Sequence, residues 1–148
     1  MANYYLHFSV MLNNLSKPEE EWARLELARL AATEGDDGTS LHDFNAVFER
    51  DPIEHHLYAI WFYSEEYASV EQVADFVQSF LKKFRPKARW GFEWATDCSK
   101  PRTDAYGGGA VMVTAKGQTW MNTGVWLANK LSISSRRAVR KTRATPHT

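Results

Sequence analysis

The sequence predicts a single α+β domain, and three observations carry that prediction. Segments of period two, rich in aromatic and β-branched residues, mark strands, beginning with Tyr4, Leu6, Phe8, Val10 and Leu12. Segments with apolar residues three and four apart, each opened by a capping serine, mark helices between those strands. The chain has 148 residues, 44% of them hydrophobic and 24% charged, which suits one buried core and excludes an intrinsically disordered chain.

In the first strand, Tyr5, His7, Ser9 and Met11 face away from the apolar row. Ser16-Lys17-Pro18-Glu19 is a capping box, and its helix runs to about Thr33 with Trp22, Leu25, Ala28 and Ala31 or Ala32 as the inner stripe. The glycine-bearing loop Glu34-Gly35-Asp36-Asp37-Gly38 ends it. Phe44, Ala46 and Phe48 alternate as a second strand, turned at Arg50-Asp51-Pro52. A third strand is expected from His55 to Ser64, with Leu57, Ala59, Trp61 and Tyr63 opposite His56, Tyr58, Ile60 and Phe62.

Ser69-Val70-Glu71-Gln72 opens a second helix, whose stripe is Val70, Val73, Val77, Phe80, Leu81 and Phe84, and Pro86 stops it. From Ala88 to Ala95, Trp90, Phe92 and Trp94 alternate with Arg89, Gly91 and Glu93. A polar loop, Asp97 to Gly109, leads to a strand from Ala110 to Ala115, with Gln118 to Met121 as its hairpin partner across Lys116-Gly117. Asn122 to Leu131 reads as a short helix with Val125, Ala128 and Leu131 inward. The order β-α-β-β-α-β-β plus a C-terminal piece predicts a ferredoxin-like split βαβ arrangement (β-α-β-β-α-β) with an added C-terminal strand or hairpin and a short helix. Residues 1–131 are expected to form the domain and residues 132–148 a flexible basic tail.

Zero net charge conceals a division. Six of the 18 basic residues lie from Lys130 onward with no acid among them, leaving 12 basic and 18 acidic residues in 1–129. The tail residues Arg136, Arg137, Arg140, Lys141 and Arg143 are therefore candidates for contact with nucleic acid or an acidic partner, or for folding back onto the acidic body. The single cysteine, Cys98, excludes an internal disulfide and a multi-cysteine metal site. The longest apolar run, Leu57 to Tyr63, has seven residues, far short of a membrane span. The first basic residue is Lys17, unlike the charged start of a signal peptide, so the expected setting is cytoplasmic with no membrane partner.

Phosphate-loop, dinucleotide, zinc-protease and hydrolase-elbow motifs are absent from the sequence. Gly107-Gly108-Gly109 precedes a strand, whereas phosphate cradles precede a helix, so it reads first as a turn or bulge; Lys100 and Arg102 keep the phosphate alternative open. His55 and His56 are adjacent on a strand and point to opposite faces, so at most one of them joins His42 at a metal, and no metal or other cofactor is expected. Cys98 has Asp97 beside it and Glu93 and Asp104 nearby, a poor setting for a catalytic thiolate.

The chain has six Trp, six Tyr and eight Phe. Tyr5, His7, His56, Tyr58 and Phe62 are expected to share the sheet face not covered by helices, with Trp90 as a further anchor. Val10-Met11-Leu12-Asn13-Asn14-Leu15 is loosely similar to the first-strand signature of the RNA-recognition motif family, and His56 to Tyr63 to its third-strand signature. The third strand departs from that family's pattern in lacking the Lys/Arg-Gly start and the inner glycine, so the resemblance implies a shared fold rather than RNA binding.

The leading functional expectation is a non-enzymatic protein that docks onto a protein or a protein–nucleic-acid assembly, an accessory or inhibitor of the type encoded by phages and plasmids. Glu34, Asp36 and Asp37 would steer a basic partner, and the same sheet face could serve a homodimer. The alternatives are single-stranded nucleic-acid binding by the sheet aromatics and basic tail, and a small-molecule enzyme using the 97–109 loop.

Overall fold

Alternating side chains make β1 (Tyr4–Leu15) a strand with one apolar row, Leu6, Phe8, Val10 and Leu12, on a single face. A computed structural model of the chain describes the backbone of residues 2–144 and the side chains of residues 2–133. β1 is followed by α1 (Lys17–Ala31), β2 (Asn45–Arg50), β3 (Tyr58–Ser64), α2 (Val70–Phe84), β4 (Arg89–Cys98), β5 (Gly107–Thr114), β6 (Gly117–Asn122) and α3 (Thr123–Ala144). The fold is α+β: three helices with a six-stranded antiparallel sheet in the order β2-β3-β1-β4-β5-β6.

Both serine caps form. Ser16 Oγ accepts from the Glu19 N–H while Glu19 Oε1 accepts from the Ser16 N–H at 2.8 Å, closing the capping box at the start of α1. Ser69 Oγ accepts from the Gln72 N–H, but the Gln72 amide turns elsewhere, accepting from the Asp43 N–H and donating to the Ser40 carbonyl. It thereby pins the loop before β2 onto α2. Arg85, the cap after α2, donates to the carbonyls of Asn13 and Asn14 and to the Glu19 carboxylate. Burial pushes Glu19 upward, yet the Ser16 N–H and the Arg85 guanidinium outweigh it and hold the carboxyl below its ordinary value.

One face of the sheet carries the core. Phe8, Leu12, Ile60, Phe62, Phe92, Val111 and Val113 pack against Ala23 and Leu27 of α1 and Val73, Phe76, Val77 and Phe80 of α2. The inner stripe of α1 is a correction: Leu25, expected inward, is 73% exposed and Ala28, Ala31 and Ala32 are exposed as well, while Ala23 and Leu27 take that role with Trp22 and Leu30 beside them. Residues at i and i+4 form that stripe, and Leu25 falls half a turn away.

A bulge between Leu12 and Leu15 lets both leucines reach the core although they are three residues apart. Asn14 takes φ 62° there, a left-handed conformation that asparagine tolerates. Its N–H donates to the buried Asp51, which also accepts from the N–H groups of Ile53 and Glu54. The hydrogen bonds from Glu54, Ile53 and Asn14 hold the Asp51 carboxyl below its ordinary value.

A lowered native pKa stabilises the fold above the unfolded-state value, and this contribution disappears as pH falls through the native one. Asp51→Ala is therefore expected to lower the melting temperature most at neutral pH. The gap to the wild type should narrow below about pH 4, as followed by circular dichroism. A gap that stays constant with pH would assign the loss to packing instead.

The C-terminal helix differs from the expected short one. No Gly or Pro stands between Gly124 and Pro146, so no breaker ends the helix at Leu131, and α3 continues to Ala144. Among the described residues, no helix is long and apolar enough to cross a membrane.

Candidate binding surface

Register decides which aromatics are available to a partner. Val10 lies opposite Phe62 and Leu12 opposite Ile60, so Tyr58, Ile60 and Phe62 share the helix-covered face with the apolar row of β1. The expected grouping of Tyr5 and His7 with Tyr58 and Phe62 is thus corrected. Phe62 is fully buried, with the Phe44, Phe76 and Trp90 rings about it. Tyr58 is partly buried on the same side, between the cationic groups of Lys17 and Arg50. Trp90 packs against the core and donates its indole N–H to the Met11 carbonyl at 3.0 Å. The reason is compositional: Tyr58 to Tyr63 is apolar on both sides, so alternation alone cannot choose its inner face.

His56 is corrected as well, since it lies exposed in the β2–β3 turn before the strand begins. His42 precedes β2 and packs on the Phe44 ring with centroids 4.5 Å apart, and burial lowers its pKa. Among the described residues, no three His, Cys, Asp or Glu side chains gather to hold a metal.

The uncovered face holds Tyr5, His7, Ser9 and Met11 of β1, Val47 of β2, and Trp61 and Tyr63 of β3. Trp61 sits between Met11 and Val47 in the ladder, and Tyr63 between Ser9 and Asn45. The Trp61 and Tyr63 rings stack with centroids 4.3 Å apart, and the Trp61 indole N–H donates to Ser9 Oγ at 2.9 Å. Trp61 and Tyr63 were missed as surface anchors. The signal that finds them is the pairing with β1, which no local pattern contains.

At one end this face meets a cleft. His7 Nε2 lies 3.1 Å from Asp97 Oδ1, and Asp97 lines a hollow of about 330 Å³ with Tyr4, Tyr5, Glu66, Tyr67 and Asp104. Three carboxylates and three tyrosine rings suit a cationic group. Successive residues of β4 alternate faces, so Cys98 points away from the side on which His7 meets Asp97, and no histidine base serves the thiol there. The glycine run lies within β5 rather than in a loop, with Gly108 opposite Ala95 and Gly109 opposite Trp94. The side chains of Arg136, Arg137, Arg140, Lys141 and Arg143 lie outside the described residues. No protein-family model matches the chain, and neither a curated protein nor a solved structure is significantly similar to it.

Proposed function

We propose that the chain is a non-enzymatic docking protein that binds another protein through the uncovered sheet face. The stacked Trp61–Tyr63 pair carries this reading. It presents two large, rigid, partly exposed rings between Met11 and Val47, in the composition that interface centres favour. Glu49, Glu93 and Asp97 share that face against Arg89 and His7, so the partner surface is expected to be basic at its rim. The same carboxylates weaken the nucleic-acid alternative, because they repel phosphate from the stacking rings.

The scaffold reading includes a ferredoxin-like core in β2-β3-β1-β4, supported by β1 lying between β3 and β4 with α1 and α2 on one face. On this reading the β5–β6 hairpin extends the sheet, and the hydrogen bonds from Gln118 to Asp75 and Gln78 clasp it to α2. The unpaired Cys98 is compatible with a reducing, cytoplasmic setting.

The test is a paired affinity capture with wild type and Trp61→Ala/Tyr63→Ala, both verified as folded by circular dichroism. A basic protein held by the wild type, resistant to nuclease and lost from the variant by about 30-fold in affinity, is the expected result. Equal retention by both proteins overturns the reading. So does retention that disappears with nuclease, or direct binding of a single-stranded oligonucleotide through these rings.

A further inference from the structure

Through Ile133, the described side chains of α3 leave the sheet exposed at every position. Its root is well made: Asn122 Oδ1 accepts from the Val125 N–H at 3.1 Å, and Thr123 Oγ1 donates to the Gly108 carbonyl at 3.1 Å. Beyond the root, among the described residues, even the large apolar side chains face solvent. Val125, Trp126 and Leu127 are 59%, 55% and 51% exposed although they point in three different directions about the axis. Leu131 is likewise exposed at 59%, so described side chains around the whole helix face solvent.

A helix in a protein draws most of its stability from packing, and this one also lacks the usual local supports. Its 22 residues contain no Asp or Glu, so no i,i+4 ion pair of opposite charge is available to it. Its sequence combines exposed leucine, valine and tryptophan with six cations from Lys130 to Arg143. It calls for a surface that is both apolar and acidic.

The chain carries such a surface. The cleft lined by Tyr4, Tyr67, Glu66, Asp97 and Asp104 joins exposed rings to carboxylates, and residues 1–129 hold an excess of six acidic residues over basic ones, matching the six cations. The cleft and the helix root also lie at the same end of the sheet. Thr96 in the cleft pairs with Gly107, and Gly109 two residues on pairs with Asn122 at the start of α3. From β1 to β6 is three strand spacings, about 14 Å. Two copies related by a two-fold axis exchange any such contact in both directions at once.

We propose that the chain self-associates as a reciprocal dimer in which α3 of each copy docks its apolar and basic surface into the tyrosine- and carboxylate-lined cleft of the other. The cleft shares Tyr5 and Asp97 with the end of the docking face, but neither Trp61 nor Tyr63 lines it. Neither Glu66 nor Asp104 belongs to the stacked pair, so variants at those two pairs test the two readings apart.

The test is light-scattering mass of the full chain at low and moderate salt, at concentrations up to about 100 µM. The expected mass is twice the 17.0 kDa chain at low salt, with dimer affinity falling at least tenfold as salt rises. Glu66→Lys/Asp104→Lys alters the cleft, and Leu127→Asp/Leu131→Asp alters the helix; all four positions are exposed, so the fold tolerates the changes. Each variant alone is expected to be monomeric. Mixing them should restore a pair, because one intact helix then meets one intact cleft. A monomeric wild type overturns the proposal, as does a dimer that persists in both variants or a mixture that stays monomeric. A monomer that gains mass on anionic vesicles or on a single-stranded oligonucleotide assigns α3 to that surface instead.

Discussion

Phe62→Ala is expected to remove about 3–5 kcal/mol of stability, the cost of deleting a fully buried aromatic ring and leaving a cavity that cannot collapse. Three elements and the segment before β2 set this magnitude. Phe62 stands on β3 with Phe44 before β2, Phe76 of α2 and Trp90 of β4 around it, at centroid distances of 5.9, 5.9 and 6.0 Å. No single neighbour can move in without abandoning its own contacts. Urea denaturation followed by tryptophan fluorescence measures the loss as a lower midpoint at unchanged slope. Trp61→Ala, one residue away on the opposite face, should cost less than half as much. Equal costs for the two substitutions would contradict the assignment of faces.

Gly109→Val is the second large effect, and its origin is crowding rather than a void. A Cβ at Gly109 would meet the Met121 carbonyl oxygen on one side and the Trp94 indole on the other, 2.5 and 2.9 Å from two ring carbons. The missing side chain lets that indole lie over the β5 backbone, where it meets Trp120 edge-on with centroids 5.7 Å apart. Valine must displace Trp94 or part β5 from β6, at about 2–3 kcal/mol. The near-ultraviolet circular dichroism should lose the coupled signal of the two indoles. Stability within about 0.5 kcal/mol of the wild type would show that the strands separate without strain.

The first two helices were legible because their signals are local. Ser16 with Glu19, Ser69 with Gln72 and the stripe of α2 from Val70 to Phe84 need nothing beyond their own segments. The hairpin of β5 and β6 was legible for the same reason, although its turn is Ala115-Lys116, one residue earlier than expected, with Gly117 already in β6. The surface was less so. Residues 58–63 are apolar on both faces, so the choice of inner face rests on pairing with a strand some 50 residues earlier. The bulge before Leu15 and the left-handed Asn14 likewise depend on Asp51, far along the chain. Of the expected anchors, Tyr5 and His7 face outward, whereas Phe62, Tyr58 and Trp90 turn to the helices and His56 sits in a turn.

The central position of β1 has a consequence for the order of assembly. The earliest strand of this sheet to leave the ribosome has to wait for both of its neighbours: β3 from Tyr58 onward, and then β4, whose Thr96, Asp97 and Cys98 pair with Leu6, Tyr5 and Tyr4. Until residue 98 has emerged, β1 offers at least one raw edge with an apolar row beside it. Such long loop closures slow folding, and a chain halted before Cys98 is the species most exposed to wrong pairing. Synthesis and folding of this sheet are therefore tied together at β4, which closes over the earliest of its six strands.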